Sequence, residues 1–350
     1  MKRTILRWGI PLMGATLALL LVFMLYAGLN FDKFLFGLRS ANPIWIIVLA
    51  LTILLEQVLN GWKWRQILHD VKPVGTIRLT GALLAGYGAN VLVPLGISPV
   101  VRAWIIARLE HLKMATVLTT TIISRFIDGV VFALFAGVLA VSGQVPKIDG
   151  NLELGLSVAG ALNIAVFGVL LWVMFRFRNL FNTDEPMICR LFDWAATRMR
   201  GNGPRLRSDL CDGVVWPRNG ARRAAVFLGA IAAKLVAATH FVWAGLAIGI
   251  VLNPWDYIFL MVFSGFIMVL GRFVRIPGSF IFAAGFALQM LDVPPESALL
   301  MILFNYIMTI IIMVGIGLIV LWQSGVDIRH ARLAMATSDD RTNSTTNDTD

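Results

Sequence analysis

The chain has 350 residues, 58% of them hydrophobic and only 14% charged, with a net charge of +10 and a mean hydropathy of +0.79. A soluble domain cannot cover that much apolar area, whereas lipid solvates it directly, so an ordinary globular protein is excluded. The positive charge does not point to nucleic acid. It is gathered in short blocks beside apolar segments, which is the positive-inside pattern of a membrane protein.

Taken in order, residues 9–29 form an uncharged first span. Lys2, Arg3 and Arg7 precede it, which places the N-terminus in the cytosol. Its apolar run is long and lacks a small-x-small cleavage site, so it reads as an uncleaved span and not as a signal peptide. Residues 43–61 return to the cytosol at Lys63, with Trp62 and Trp64 at the interface that indole rings favour. Residues 79–99 are apolar but broken by Gly81, Gly86, Gly88, Pro94, Gly96 and Pro99, with Arg78, Arg102, Arg108 and Lys113 on the two sides. If these basic flanks stay inside, the segment is a re-entrant loop, tolerated only where its backbone is buried or lines a cavity. A Pro-kinked span is the alternative.

A third span runs outward over residues 114–142, and a fourth returns over residues 154–175. The loop of residues 176–223 carries ten arginines against five acidic residues, and an amphipathic helix is expected over residues 186–199. Both cysteines, Cys189 and Cys211, fall in this loop without metal or redox spacing. Residues 224–252 form span five and residues 257–271 span six. A second broken segment, residues 276–291, begins Pro277-Gly278-Ser279, and residues 297–322 form the last span. Arg329 and Arg332 suggest a cytosolic C-terminus, which requires residues 276–291 to cross. The sequence therefore predicts an all-α polytopic helical bundle of about eight spans, one or two of them Pro/Gly-broken. The membrane domain covers residues 1–332, and residues 333–350 form a polar, disordered tail.

The two halves rhyme loosely. Each has a Pro/Gly element in an apolar segment and, about thirty residues later, a polar pair: Ser124-Arg125 in the first half and Asn305-Tyr306 in the second. Paired interruptions of this kind point to a transporter site at a repeat interface.

Ionisable groups at bilayer depth are costly and mark functional sites. Arg125 and Asp128 are three apart on one helix, so they share a face and can pair. A guanidinium suits phosphate because its planar fork makes bidentate, charge-assisted bonds. Asp128 then holds Arg125 when the site is empty; the alternative is an ion pair that only fixes helix packing. Arg102 follows the broken segment and is either aimed with freed N–H groups at an anion or snorkels to the interface. Asn90 and Asn305 either bridge the broken backbone or touch a headgroup, and as capping or packing residues they are equally ordinary. Glu56, near the cytosolic end of span two, is a proton carrier or an arginine's partner. Lys234 sits deep in span five or snorkels to the inner face. No nucleotide loop, catalytic triad, paired carboxylates or metal motif is present in the sequence, so neither an enzyme nor a cofactor is expected.

These residues carry a family resemblance. The run Asn90-Val91-Leu92-Val93-Pro94, then Arg102, then Ser124-Arg125-Phe126-Ile127-Asp128 resembles the signature of the lysylphosphatidylglycerol synthase transmembrane region family. That signature runs Asn…Pro…Gly-Glu…Arg, then Glu-Arg…Asp, and later Pro-Gly-Gly, where this chain has Pro277-Gly278-Ser279. The likeness spans residues 62–322. The chain departs from it where Ser98-Pro99 stands for Gly-Glu, Ser124 for the glutamate before the arginine, and Asn305 for a later arginine. The resemblance implies a flippase-like fold without the aminoacyl-transfer domain of two-domain relatives. It also implies a bacterial inner-membrane location and a site built on Asn90, Pro94, Arg102, Arg125 and Asp128. The expected partners are membrane lipids with phosphate-containing headgroups: phospholipid, hopanoid or polyisoprenoid-linked. A membrane scaffold for a lipid- or glycan-synthesising enzyme, docked on the Arg-rich loop, is the alternative.

Overall fold

Several helices begin where the sequence supplies a cap or a proline. The structure, a computed structural model, describes residues 28–92, 98–143, 165, 169, 216–274 and 279–324. Asn30 accepts from the Asp32 and Lys33 amides to start α1 (Phe31–Ser40). Asn42 accepts from the Ile44 amide ahead of Pro43 to start α2 (Pro43–Leu68). Helices α3 (Thr76–Leu92) and α4 (Ser98–Glu110) precede α5 (Met114–Ser142), which closes on Gly143 at φ 64°. Asn219 caps α6 (Gly220–Leu246). Then come α7 (Pro254–Val274), α8 (Ser279–Met290) and α9 (Pro295–Thr309). Helix α9 runs through a π-helical turn (Ile310–Gly315) into α10 (Ile316–Gln323). Among the described residues there is no strand.

Four helical stretches are long and apolar enough to cross a membrane: Pro43–Leu68, Met114–Ser142, Gly220–Leu246 and Pro295–Gln323. The third span coincides with its expected bounds, and the fifth and last move by a few residues. The second span continues a further seven residues to Leu68. Of the two tryptophans expected at the interface, Trp64 is interior. Trp64 is buried, its indole donating to Thr120 Oγ1 at 3.1 Å, and Trp62 packs where a Cβ on Gly229 would fall. Most of the expected first span, all but two residues of the fourth, the amphipathic helix and the tail lie outside the described residues.

The two ends of the helical bundle are tied by bonds between residues distant in sequence. At one end the Asn42 amide donates to the Ala247 carbonyl at 2.8 Å, and the Asn30 amide to Glu296 Oε1 at 3.0 Å. At the other, Asp70 accepts from the Arg218 amide and Arg222 Nη1, at 2.8 and 2.9 Å. There Glu110 also receives Lys72 and Arg78, both at 2.9 Å. That clamp joins the start of α3 to the end of α4, so the pair is a helical hairpin opening on the second end. At 17 and 13 residues its arms are about 25 and 20 Å long, short of the roughly 30 Å hydrocarbon core. The re-entrant alternative holds for this segment, and residues 93–97 of its tip, Pro94 included, lie outside the described residues.

The described part of the other broken segment turns back along its predecessor. Helix α8 has 12 residues, about 18 Å, and packs back along α7 through Phe263 and Phe286, whose ring centroids are 6.1 Å apart. This second hairpin opens on the first end, opposite to the α3–α4 hairpin. The last helix closes on the first hairpin through glycine: a Cβ on Gly317 would lie 2.2 Å from the Leu84 carbonyl oxygen. Bare backbones approach closely there, as membrane interfaces of small residues do.

Candidate functional site

A layer of charge crosses the bundle at mid-depth. Glu56, Asp128 and Lys234 each sit near the midpoint of their helices, α2, α5 and α6. At 1.5 Å per residue that puts them about 20 Å from the nearer helix ends. Glu56 is thus not near a cytosolic end, because its helix runs on past the expected boundary. On α2 the polar residues Glu56, Gln57, Asn60 and Lys63 lie between the side chains given to one apolar core, Leu49 and Ile53, and to the next, Trp64 and Leu68.

Lys63 is the residue the sequence reading misplaced. Read as part of a cytosolic basic block, it is 0% exposed, forms an ion pair with Asp128 and donates to Asn60 Oδ1 at 3.2 Å. A buried cation needs a counter-ion, and Asp128 supplies it across 65 positions of sequence. Asp128 is therefore not the orienting partner of Arg125, although the two share a helix face. A signal was available: Glu56, Asn60 and Lys63 recur at helical spacing on an otherwise apolar helix.

Arg125 instead donates to the Tyr87 hydroxyl at 3.4 Å, and its side chain is exposed although it lies well inside α5. Arg102 does not snorkel. It is 2% exposed and donates through Nη2 to Ser98 Oγ at 2.7 Å and through Nε to the Ser98 carbonyl at 3.2 Å. Its guanidinium stands 5.7 Å from the centroid of the Tyr87 ring. One tyrosine thus carries a guanidinium over its face and another at its hydroxyl. Among the described residues, neither arginine has a carboxylate within ion-pair distance.

The remaining expected residues divide. Asn90 Oδ1 accepts from the Ser98 amide at 3.1 Å, which fixes the start of α4 and, through Ser98, the pose of Arg102. Lys234 Nζ lies 5.7 Å from the Phe132 ring centroid. Asn305 is buried and accepts from Thr309 Oγ1 at 3.3 Å, just before the π-helical turn; no bond ties it to the arginines. Pro94 lies outside the described residues. Among the described residues no cluster of three His, Cys, Asp or Glu side chains offers a metal site. Chemically, the Arg102–Tyr87–Arg125 arrangement is a cationic cradle suited to an oxyanion.

A family model described as Lysylphosphatidylglycerol synthase TM region matches residues 12–317. No curated protein matches the chain, and no solved structure does.

Proposed function

The chain belongs to the lysylphosphatidylglycerol synthase TM region family, and from that premise and the geometry at mid-depth we propose that it binds and translocates a lipid with a phosphate-containing headgroup. The family ties it to membrane lipid metabolism. The observation that carries the reading is Arg125: an exposed guanidinium well inside α5, bonded to a tyrosine and, among the described residues, not to a carboxylate. Arg125 and Arg102 hold the phosphate, and Tyr87 keeps the two cations apart and oriented. The Lys63–Asp128 pair braces α2 against α5 behind them. Hairpins opening on opposite ends support exchange with both leaflets, in the manner of repeat-built transporters. The site binds and releases without covalent chemistry. In this reading the protein sits in the bacterial inner membrane with both termini cytosolic. Residues 176–215 of the Arg-rich loop lie outside the described residues, and no observation favours the scaffold alternative.

The test is native mass spectrometry of the purified protein, wild type beside Arg125→Ala. One phosphate-bearing lipid class retained by the wild type and lost from an equally stable variant supports the reading. An identical lipid complement in both refutes it.

A further inference from the structure

Each glycine beside Tyr87 serves a different neighbour. Residues 86 and 88 stand about 200° apart around a helix, so they look to opposite sides of α3. A Cβ on Gly86 would lie 2.8 Å from Ser98 Oγ and 3.6 Å from the Arg102 Cβ. A Cβ on Gly88 would lie 2.9 Å from the carbonyl carbon of Gly317. The converse holds at Gly317, where a Cβ would overlap the Leu84 carbonyl and stand 3.0 Å from the Gly88 amide nitrogen. The turn that carries Tyr87 is therefore gripped between α4 and α10, with bare backbone on the α10 side. Tyr87 in turn meets Arg125 at its hydroxyl and Arg102 over its ring.

Helix α10 is built to shift. Among the described helices it packs chiefly on α3, and its two buried residues, Gly317 and Leu321, lie one turn apart on a single face. It hangs from α9 by the π-helical turn, Ile310–Gly315, none of whose residues is buried. A Cβ on Gly315 would meet nothing within 4 Å, so there is room beside the joint, two residues before the tightest contact with α3. Such turns interrupt the regular helical ladder, kink the helices that hold them and recur at functional sites.

Resting on the reading above, we propose that Gly317 is a positioning residue for the headgroup site and that α10 is its latch. Seated on Gly88, α10 holds Tyr87 where it bonds Arg125 and faces Arg102. Bending at the π-helical turn lifts Gly317 from α3, frees the tyrosine and lets the bound phosphate leave.

Two arms test this on the full-length chain. In the first, fluorotyrosine replaces the four tyrosines, Tyr26, Tyr87, Tyr257 and Tyr306, and is read by fluorine NMR. Gly317→Ala should move the Tyr87 signal, identified by its absence from Tyr87→Phe, and leave that of Tyr257 in place. Retention of phosphatidylglycerol, read by native mass spectrometry, should fall about tenfold, the worth of one hydrogen bond to a charged group. Gly317→Ala combined with Tyr87→Phe should retain as much as Tyr87→Phe alone, because the two act through one side chain. An unmoved signal, or losses that add, leaves Gly317 a packing residue and overturns its positioning role. Retention indifferent to Arg125→Ala overturns the headgroup reading itself.

The second arm places no bulk at Gly317, so it stands even where Gly317→Ala does not fold. A Cβ on Gly81 would lie 3.6 Å from Val320 Cγ1, within reach of a disulfide, whose Cβ atoms stand about 3.5–4.5 Å apart. Gly81→Cys with Val320→Cys, in a chain carrying Cys189→Ser and Cys211→Ser, pins α10 to α3 when oxidised. In liposomes containing fluorescent phosphatidylglycerol, the pinned chain should keep its lipid. It should exchange that lipid between leaflets about tenfold or more slowly than after reduction, as expected where a moving element gates the rate. Equal exchange in the two states, or cysteines that never join, overturns the latch. No exchange in either state overturns the translocation reading and the latch with it.

Discussion

The two helical hairpins differ in what they bury. The α3–α4 hairpin encloses Ser98 and Arg102 and presents Tyr87 and Asn90. Its open end is closed by charge, Lys72 and Arg78 on Glu110. The described side chains of the α7–α8 hairpin are almost wholly apolar. Phe259, Phe263, Phe282 and Phe286 stack in series, and Ser264 turns its hydroxyl back onto the Leu260 carbonyl. In lipid there is little hydrophobic drive between helices, so packing and polar contacts must do the holding. Among the described residues, one hairpin therefore encloses polar side chains and the other aromatic ones. Two broken segments that look alike in sequence thus differ in the side chains they enclose, and the proposed headgroup site draws on the first alone.

Removing the polar brace beside the first hairpin breaks this contrast most severely. Lys63→Ala removes the ion-pair partner of the largely buried Asp128 and should cost up to about 3 kcal/mol of stability, read as early thermal aggregation in detergent. Lys63→Ala combined with Asp128→Ala should recover most of that loss. A single variant as stable as wild type would show that the charged layer does not hold the bundle. In the second hairpin, Phe263→Leu should cost about 1 kcal/mol through lost ring contacts and leave lipid retention unchanged. If it abolishes retention instead, the aromatic hairpin belongs to the binding site and the division fails.

The smallest effect is at the first hairpin's open end. The Lys72 and Arg78 side chains that donate to Glu110 hold its carboxyl below the usual carboxylate range. A depressed folded pKa contributes stability above the unfolded value and loses it as pH falls through the folded one. Glu110→Gln should therefore destabilise the protein by roughly 1 kcal/mol or less at pH 7, because its partners are solvent-exposed and screened. The gap from wild type should close below about pH 4. A gap that persists there would assign Glu110 a role in packing, not charge.

Much of the fold was legible because apolar runs have sharp borders. Met114–Ser142 lies between Lys113 and Gly143, and the helix ends where the sequence changes. The end of α2 was not legible for the opposite reason. Trp62, Lys63, Trp64 and Arg65 look like an interface, and only the packing of α3, α5 and α6 around them makes Lys63 and Trp64 interior. The same tertiary choice explains the site. Arg125 and Asp128 stand out as charges at depth, but local spacing suggested pairing them with each other, and a buried lysine from another helix wins the carboxylate. Asn90 was rightly placed beside the break, where it serves the hairpin backbone. Tyr87 went unnoticed because a tyrosine in an apolar segment announces nothing until two guanidiniums meet on it.

The most direct measurement is an electron cryomicroscopy structure of the chain in nanodiscs made from bacterial lipid. The account predicts phosphate-sized density within about 3 Å of the Arg125 guanidinium, close to Arg102 and continuous with acyl density leading into the bilayer. An Arg125 side chain turned onto Asp128, with no density beside it, would contradict the account.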